Sequence, residues 1–168
     1  MVPYLPYPSS LSTLFMKPLD QQFATRLGFS ALIPFVLLTF FCWVVHPQWM
    51  GFFIDAQLVY GIAILGFLGG LHWGVALLSG EANASEVKRD LLWGVLPPIL
   101  AYFAMANMFV GFVVQMAAFI FSYQYDKKMY QRFSLPQWFV QLRFKLTCVV
   151  VTTQILTFLA ANVRLIPN

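Results

Sequence analysis

LLWGVLPPILAYFAMANMFVGFVVQMAAFIFSYQY, residues 91–125, is the stretch on which the fold turns. Its 35 residues carry no Asp, Glu, Lys or Arg. As a single helix it would be about 52 Å long, against a hydrocarbon core of about 30 Å. Pro97 and Pro98 remove two backbone donors from its first half, and Asn107 places a polar step near its middle. It is therefore one long tilted helix or a hairpin of two short ones turning near Asn107.

The basic residues decide between these. Three other stretches without charge, 27–54, 56–80 and 146–163, supply one span each, the first ending at His46, Pro47 and Gln48. With a hairpin the chain crosses five times. Lys17, Arg26, Lys88, Arg89, Lys127, Lys128, Arg132, Arg143 and Lys145 then share one side, and Arg164 stands alone on the other. With a single span the ten basic residues divide five and five. Inserted membrane proteins concentrate Lys and Arg on the cytoplasmic side. The expected fold is all-α, a five-transmembrane-helix bundle with its N-terminus in and its C-terminus out. Helices are expected at 23–45, 55–79, 90–106, 108–125 and 142–162. The third is short and kinked at the proline pair, and Pro34 bends the first. Residues 1–22, with Pro3, Pro6 and Pro8, read as an irregular tail rather than a signal peptide, and 23–168 as a single transmembrane domain.

Composition agrees. Hydrophobic residues make up 60% of the chain and charged ones 10%, with a mean hydropathy of +0.74. A soluble domain could not cover its surface with so few charges, since about 25% is usual. The lipid bilayer is the expected partner, and the net charge of +4, carried on short connections, does not point to nucleic acid. Cys42 and Cys148 fall in opposite leaflets, which excludes a disulfide between them. Asn83-Ala84-Ser85 matches a glycosylation sequon but lies on the cytoplasmic side.

The second helix carries the densest signal. Gly66, Gly70 and Gly74 recur every fourth residue on one face, a pattern that lets another helix approach closely. The partner could be a helix of the same chain, a second copy or another membrane protein; a flat cofactor lying on the glycines is a further reading. His72 sits away from that stripe, on the side of Gly69, with Trp73 near the interfacial aromatic belt. An intramembrane histidine points to function, as a haem ligand or proton relay, or else bonds a loop or carbonyl near the interface. His46 lies about 25 Å away by helical rise, so one chain cannot supply both axial ligands of one haem. Gln115 and Gln154 are expected at equal depth on the last two helices, able to bond across them with Thr152 and Thr153 nearby. Asp55 and Asp90 are placed as caps at the starts of the second and third helices. Asp126 follows the fourth helix, beside Lys127 and Lys128 and within reach of Arg143. His72, Trp73, Asp126 and Arg143 are the candidate functional cluster on the cytoplasmic side.

Several of these segments together resemble an uncharacterised domain-of-unknown-function family of small bacterial membrane proteins related to a mitochondrial transmembrane protein. They are Leu27-Gly28 with Ile33-Pro34-Phe35, Tyr60 with the block from Phe67 to Gly74, and Leu96-Pro97. Tyr125-Asp126, Leu135-Pro136-Gln137-Trp138, Leu142-Arg143 and Leu146-Thr147 complete them. The resemblance implies a multi-pass protein of the bacterial inner membrane and brings no catalytic residues.

No P-loop, nucleophile elbow, HExxH, CxxC or dinucleotide fingerprint occurs, and no catalytic or metal site is predicted. The expected function is a non-enzymatic accessory, assembly or structural membrane protein without a cofactor. Two alternatives stay open: a haem- or quinone-binding subunit using His72, and a small transporter or channel. Against the latter, the predicted spans carry no buried charge, and the chain lacks the internal repeat common in transporters.

Overall fold

The computed structural model describes residues 18–78, 84–132 and 136–165. Six helices follow one another: α1 (Pro18–Ser30), α2 (Ile33–Val44), α3 (Pro47–Leu78), α4 (Ala84–Ala104), α5 (Met108–Arg132) and α6 (Gln137–Leu165). There is no strand among the described residues. The expected tail lies outside them up to residue 17, and residues 18–22, also expected to be irregular, are helical. The sequon's Asn83 falls outside them as well.

α1 and α2 form one leg interrupted at Ala31-Leu32. Pro34 cannot donate to the carbonyl of Ser30 and its ring crowds that carbonyl, so the bend expected there becomes a break. A carbonyl at the break finds a donor on the next leg, where the Tyr60 hydroxyl bonds Ala31 O at 2.9 Å.

α3 begins at Pro47, eight residues before the expected start. Proline is well suited to the first helical position, and the His46 ring accepts the Gln48 N–H at 3.4 Å. Met50 and Ile54 then reach the core, which a loop through 46–54 would not have allowed. Asp55 is consequently not a cap; it lies exposed inside the helix. At 32 residues, about 48 Å, α3 must tilt or extend past the hydrocarbon boundary.

Four stretches are long and apolar enough to cross a membrane: Gln21–Val44, Pro47–Leu77, Met108–Met129 and Gln137–Arg164. α4, the remaining leg, packs between α3 and α5. Glu86, Lys88, Arg89 and Asp90 occupy its first turns, so its uncharged part, 91–104, is only about 21 Å long. The helix continues through Pro97-Pro98. Pro98 leaves the Gly94 carbonyl without its helical donor, and that oxygen lies directly against Gly69 of α3. Two backbones meet there, and a Cα–H of Gly69 faces the freed carbonyl. The chain then turns at Met105–Asn107. Asn107 Oδ1 caps α5 by accepting the N–H groups of Phe109 at 3.0 Å and Val110 at 3.2 Å.

The interior is layered by two regular seams. Phe112, Gln115, Phe119, Ser122, Asp126 and Met129 of α5 are all buried, at alternating spacings of three and four residues. On α6 the same spacing runs through Arg143, Thr147, Val150, Gln154, Thr157 and Ala161, also buried. Such spacing keeps one stripe of each helix facing its neighbour along the whole contact. An apolar layer of Phe35, Leu65, Leu68, Phe119 and Val150 fills mid-bundle. Cys42, Met50, Ile54, Phe112, Ala160 and Ala161 close the end near Arg164. The Arg164 guanidinium caps α2 there, donating to Cys42 O at 2.6 Å and Val45 O at 2.7 Å. Both cysteines are free, Cys42 buried and Cys148 exposed.

Candidate functional site

α5 and α6 run further than their hydropathy suggests, to Arg132 and from Gln137, and this carries two charges into the helical interior. Asp126 is therefore not beyond the end of its helix, as expected, but occupies the α5 seam. Its Oδ2 accepts Nε and Nη2 of Arg143 at 2.8 and 2.6 Å, a two-bond pair across to α6. Its Oδ1 lies 2.6 Å from His72 Nε2 on α3. A carboxylate that already accepts two guanidinium N–H groups accepts here too, so Nε2 carries the hydrogen. Side-chain exposures of 3% for His72, 4% for Asp126 and 6% for Arg143 put the whole triad out of solvent. These are the buried charges that the sequence pattern denied to the spans. Each has a partner, as burial in a low dielectric requires.

Trp73 does not join its three predicted neighbours. It lies on the outer side of α3, where its indole donates to Leu91 O at 3.0 Å and its ring lies over Gly94. Tyr125 takes its place. Its ring meets His72 edge-on, with centroids 5.5 Å apart, and meets Trp93 at 5.1 Å. His72 Nδ1 has no hydrogen-bond partner among the described residues.

Through Tyr125 the triad adjoins a second ionic network, which the sequence reading missed. Asp90 is no helix cap; it is 1% exposed, inside α4. It accepts the Tyr125 hydroxyl on one oxygen and Arg132 Nη2 on the other. Arg132 Nη1 also reaches Glu86 at 3.1 Å, and Arg89 Nε reaches the Tyr125 hydroxyl at 3.4 Å. Bonding to that phenol is the main cause that raises the affinity of Arg89 for its proton. The signal in the sequence was Glu86 and Asp90 four residues apart, on one helical face, in a connection otherwise rich in cations.

A third cluster lies beyond the apolar layer. Gln154 Nε2 donates to Gln115 Oε1, and Gln115 Nε2 donates to Leu58 O at 2.8 Å. Gly61 makes room for this amide, since a Cβ there would overlap it. The structure thus brings the two glutamines into contact and adds Gln57, Thr39 and Thr157, which the sequence did not single out. Thr157 donates to Gln57 Oε1 at 2.6 Å, and Gln57 Nε2 reaches Thr39 Oγ1 at 3.3 Å. Thr153 enters through its carbonyl, 3.2 Å from Thr39 Oγ1. Replacing Gln154 by Leu is expected to cost about 1 kcal/mol in unfolding titrations in detergent, within the range for interhelical bonds in lipid. No loss at all would mean that the amides do not bond.

Gly66, Gly70 and Gly74 meet nothing among the described residues. A Cβ built on any of them has no atom within 4 Å, and all three are exposed. Of the partners considered for this stripe, a helix of the same chain is not found among the described residues. The close crossing uses Gly69 and Gly94 instead, because the inner faces of α3 run through Gln57, Gly61, Leu65, Leu68 and His72 and through Gly69. The three-glycine row falls opposite. Among the described residues no three His, Cys, Asp or Glu side chains converge as a metal site would need.

The family described as "Protein of unknown function (DUF3429)" matches residues 21–159, which include all three networks. Transmembrane protein 69 of Xenopus tropicalis is 33% identical over 134 residues, covering 76% of this chain and 50% of that protein. The chain thus spans about half the length of this relative. No solved structure matches.

Proposed function

The chain belongs to the DUF3429 family of proteins of unknown function, and from that premise we propose a non-enzymatic accessory or assembly role for this multi-pass membrane protein. It sits in a bacterial inner membrane with its N-terminus on the cytoplasmic side. It acts by packing the outer face of α3 against a transmembrane helix of a partner, a second copy being the simplest one. The observation that carries this reading is the contrast among the glycines of α3. Gly61 and Gly69 are filled by neighbours within the chain, whereas Gly66, Gly70 and Gly74 form an open row beside Phe67 and Leu77, both exposed. Helix association in lipid depends on close van der Waals approach, and such a row permits it.

The polar core supports the same reading. Asp126, Arg143, His72 and Gln115 bond one another or backbone across the helices, and Gln57 bonds the Thr39 and Thr157 side chains, which suits holding a bundle in register. His72 Nε2 is bonded to Asp126, so a haem or quinone would have to reach Nδ1 of a ring that is buried in the bundle. A transport path would have to cross the apolar layer of Phe35, Leu65 and Phe119 that separates the ionic triad from the glutamines.

The test is recovery of the tagged chain from membranes in mild detergent, with mass spectrometry of what accompanies it. A stable partner, or a dimer, is expected. Gly70→Ile should lower its recovery at least tenfold without moving the melting temperature. A monodisperse monomer without companions, or full retention by the variant, would sink the reading.

A further inference from the structure

At the basic end of the bundle a pocket of about 340 Å³ opens between the start of α4 and the end of α5. Glu86, Arg89, Asp90, Tyr125, Lys128 and Arg132 line it, with Met129 at its side. Its charges are mixed, and the pairing within it sorts them. Asp90 is buried and bonded to Arg132, so this pair is neutral and belongs to the fold. The remaining charges of the lining are Glu86, which shares Arg132 at 3.1 Å, Arg89, whose Nε is 3.9 Å from Asp90, and Lys128. The Arg89 side chain is 60% exposed, and Lys128 is exposed too.

A ligand matching this layout carries a cation and an anion a few ångströms apart. A plain phosphodiester satisfies Arg89 and Lys128 but sets a negative charge beside Glu86. A trimethylated cation reaches Glu86 without an N–H to donate to it. A primary ammonium joined to a phosphodiester satisfies both halves. The surroundings supply the rest of the molecule. Seven residues, two helical turns, toward mid-bundle from Arg89 is Leu96, and seven from Lys128 is Phe121, on the same helical faces. Both are exposed apolar side chains, 46% and 58% respectively. Acyl chains lying along α4 and α5 from the pocket would meet these apolar side chains.

We propose that the Glu86/Arg89/Lys128 pocket binds the headgroup of a phosphatidylethanolamine molecule, its ammonium on Glu86 and its phosphate on Arg89 and Lys128. The site is on the α4–α5 side and is independent of any protein bound to α3.

The full chain, delipidated in mild detergent, is offered equimolar dioleoyl phosphatidylethanolamine, phosphatidylglycerol and phosphatidylcholine, and the first bound lipid is read by native mass spectrometry. The ethanolamine lipid should exceed each of the others at least fivefold. Arg89→Gln with Lys128→Gln, both at exposed positions, should cut its occupancy at least fivefold. Glu86→Gln should bring it level with the choline lipid. Because Glu86 also holds Arg132, Lys128→Gln alone serves as the variant that leaves the fold intact, and it should halve the occupancy or more. Preference for the glycerol lipid, equal uptake of all three, or full occupancy in the Arg89/Lys128 double variant would overturn the proposal. So would displacement of the lipid by millimolar soluble phosphoethanolamine, which would assign the pocket to a free zwitterion instead.

Discussion

Gly69→Ala is expected to separate α4 from α3, while Gly66→Ala, Gly70→Ala and Gly74→Ala leave the fold unchanged. The four glycines lie within nine residues of one helix, and only their surroundings differ. A Cβ on Gly69 would overlap the Gly94 carbonyl oxygen and approach its Cα to 3.2 Å. These are backbone atoms, which cannot rotate away as a side chain can, so α4 must move bodily. That movement pulls Asp90 from Arg132 and Trp93 from Tyr125, because all of these sit on the α4 interface. Overpacking of this kind costs about 3 kcal/mol, the upper part of the usual range. Gly94→Ala should cost less, since one of its two closest neighbours, 2.8 Å away, is the Trp73 ring rather than backbone. Unfolding titrations in mixed micelles, followed by circular dichroism, give the values directly. Equal stability of the Gly69 and Gly70 variants would mean that the α3–α4 crossing is not built on this contact.

The same glycines show what a sequence can reveal of such a bundle. A stripe at every fourth residue identifies a helical face, but periodicity alone does not say whether that face looks inward. The all-α architecture and the turn at Asn107 were legible because lipid imposes length and charge rules on each span. The ends of α5 and α6 were less so. Hydropathy falls at Lys127 and Lys128, which are exposed, and by that measure the helix stops before them. The seam continues beneath them through Asp126 and Met129 at unchanged spacing, and following that spacing instead of mean hydropathy would have put Asp126 inside. Asp90 was hidden for a different reason. An acid at the start of an apolar run has an ordinary use as a cap, and only the tertiary fold supplies Arg132 and Tyr125 as its partners. The start of α3 at Pro47 could be read locally, from proline's fitness for the first turn and from Met50 and Ile54 beyond it.

Breaking the triad should have the largest energetic effect in the molecule, and the pattern of variants matters more than any single loss. Among the described residues, Arg143→Met leaves the Asp126 carboxylate in the bundle with only the His72 N–H, and Asp126→Leu leaves a buried guanidinium without its acceptor. Removing one member of a buried pair costs about 3–5 kcal/mol, because the survivor keeps its desolvation penalty and loses its compensation. Asp126→Leu combined with Arg143→Met removes both charges, and the double variant should recover most of the loss. What remains is chiefly the unpaired Nε2–H of His72, about 1–3 kcal/mol. In a double-mutant cycle the two single losses should therefore exceed the double loss by more than 2 kcal/mol, a size that contact between charged groups explains and distant sites do not reach. Simple additivity would refute the pairing. His72→Gln separates holding from chemistry. An amide retains a donor for Asp126, so stability should fall by about 1 kcal/mol at most. If the imidazole only braces α3 against α5, recovery of the partner should be unchanged in that variant. A His72→Gln protein of normal stability that fails to retain its partner would give the ring a role that bundle stability does not require.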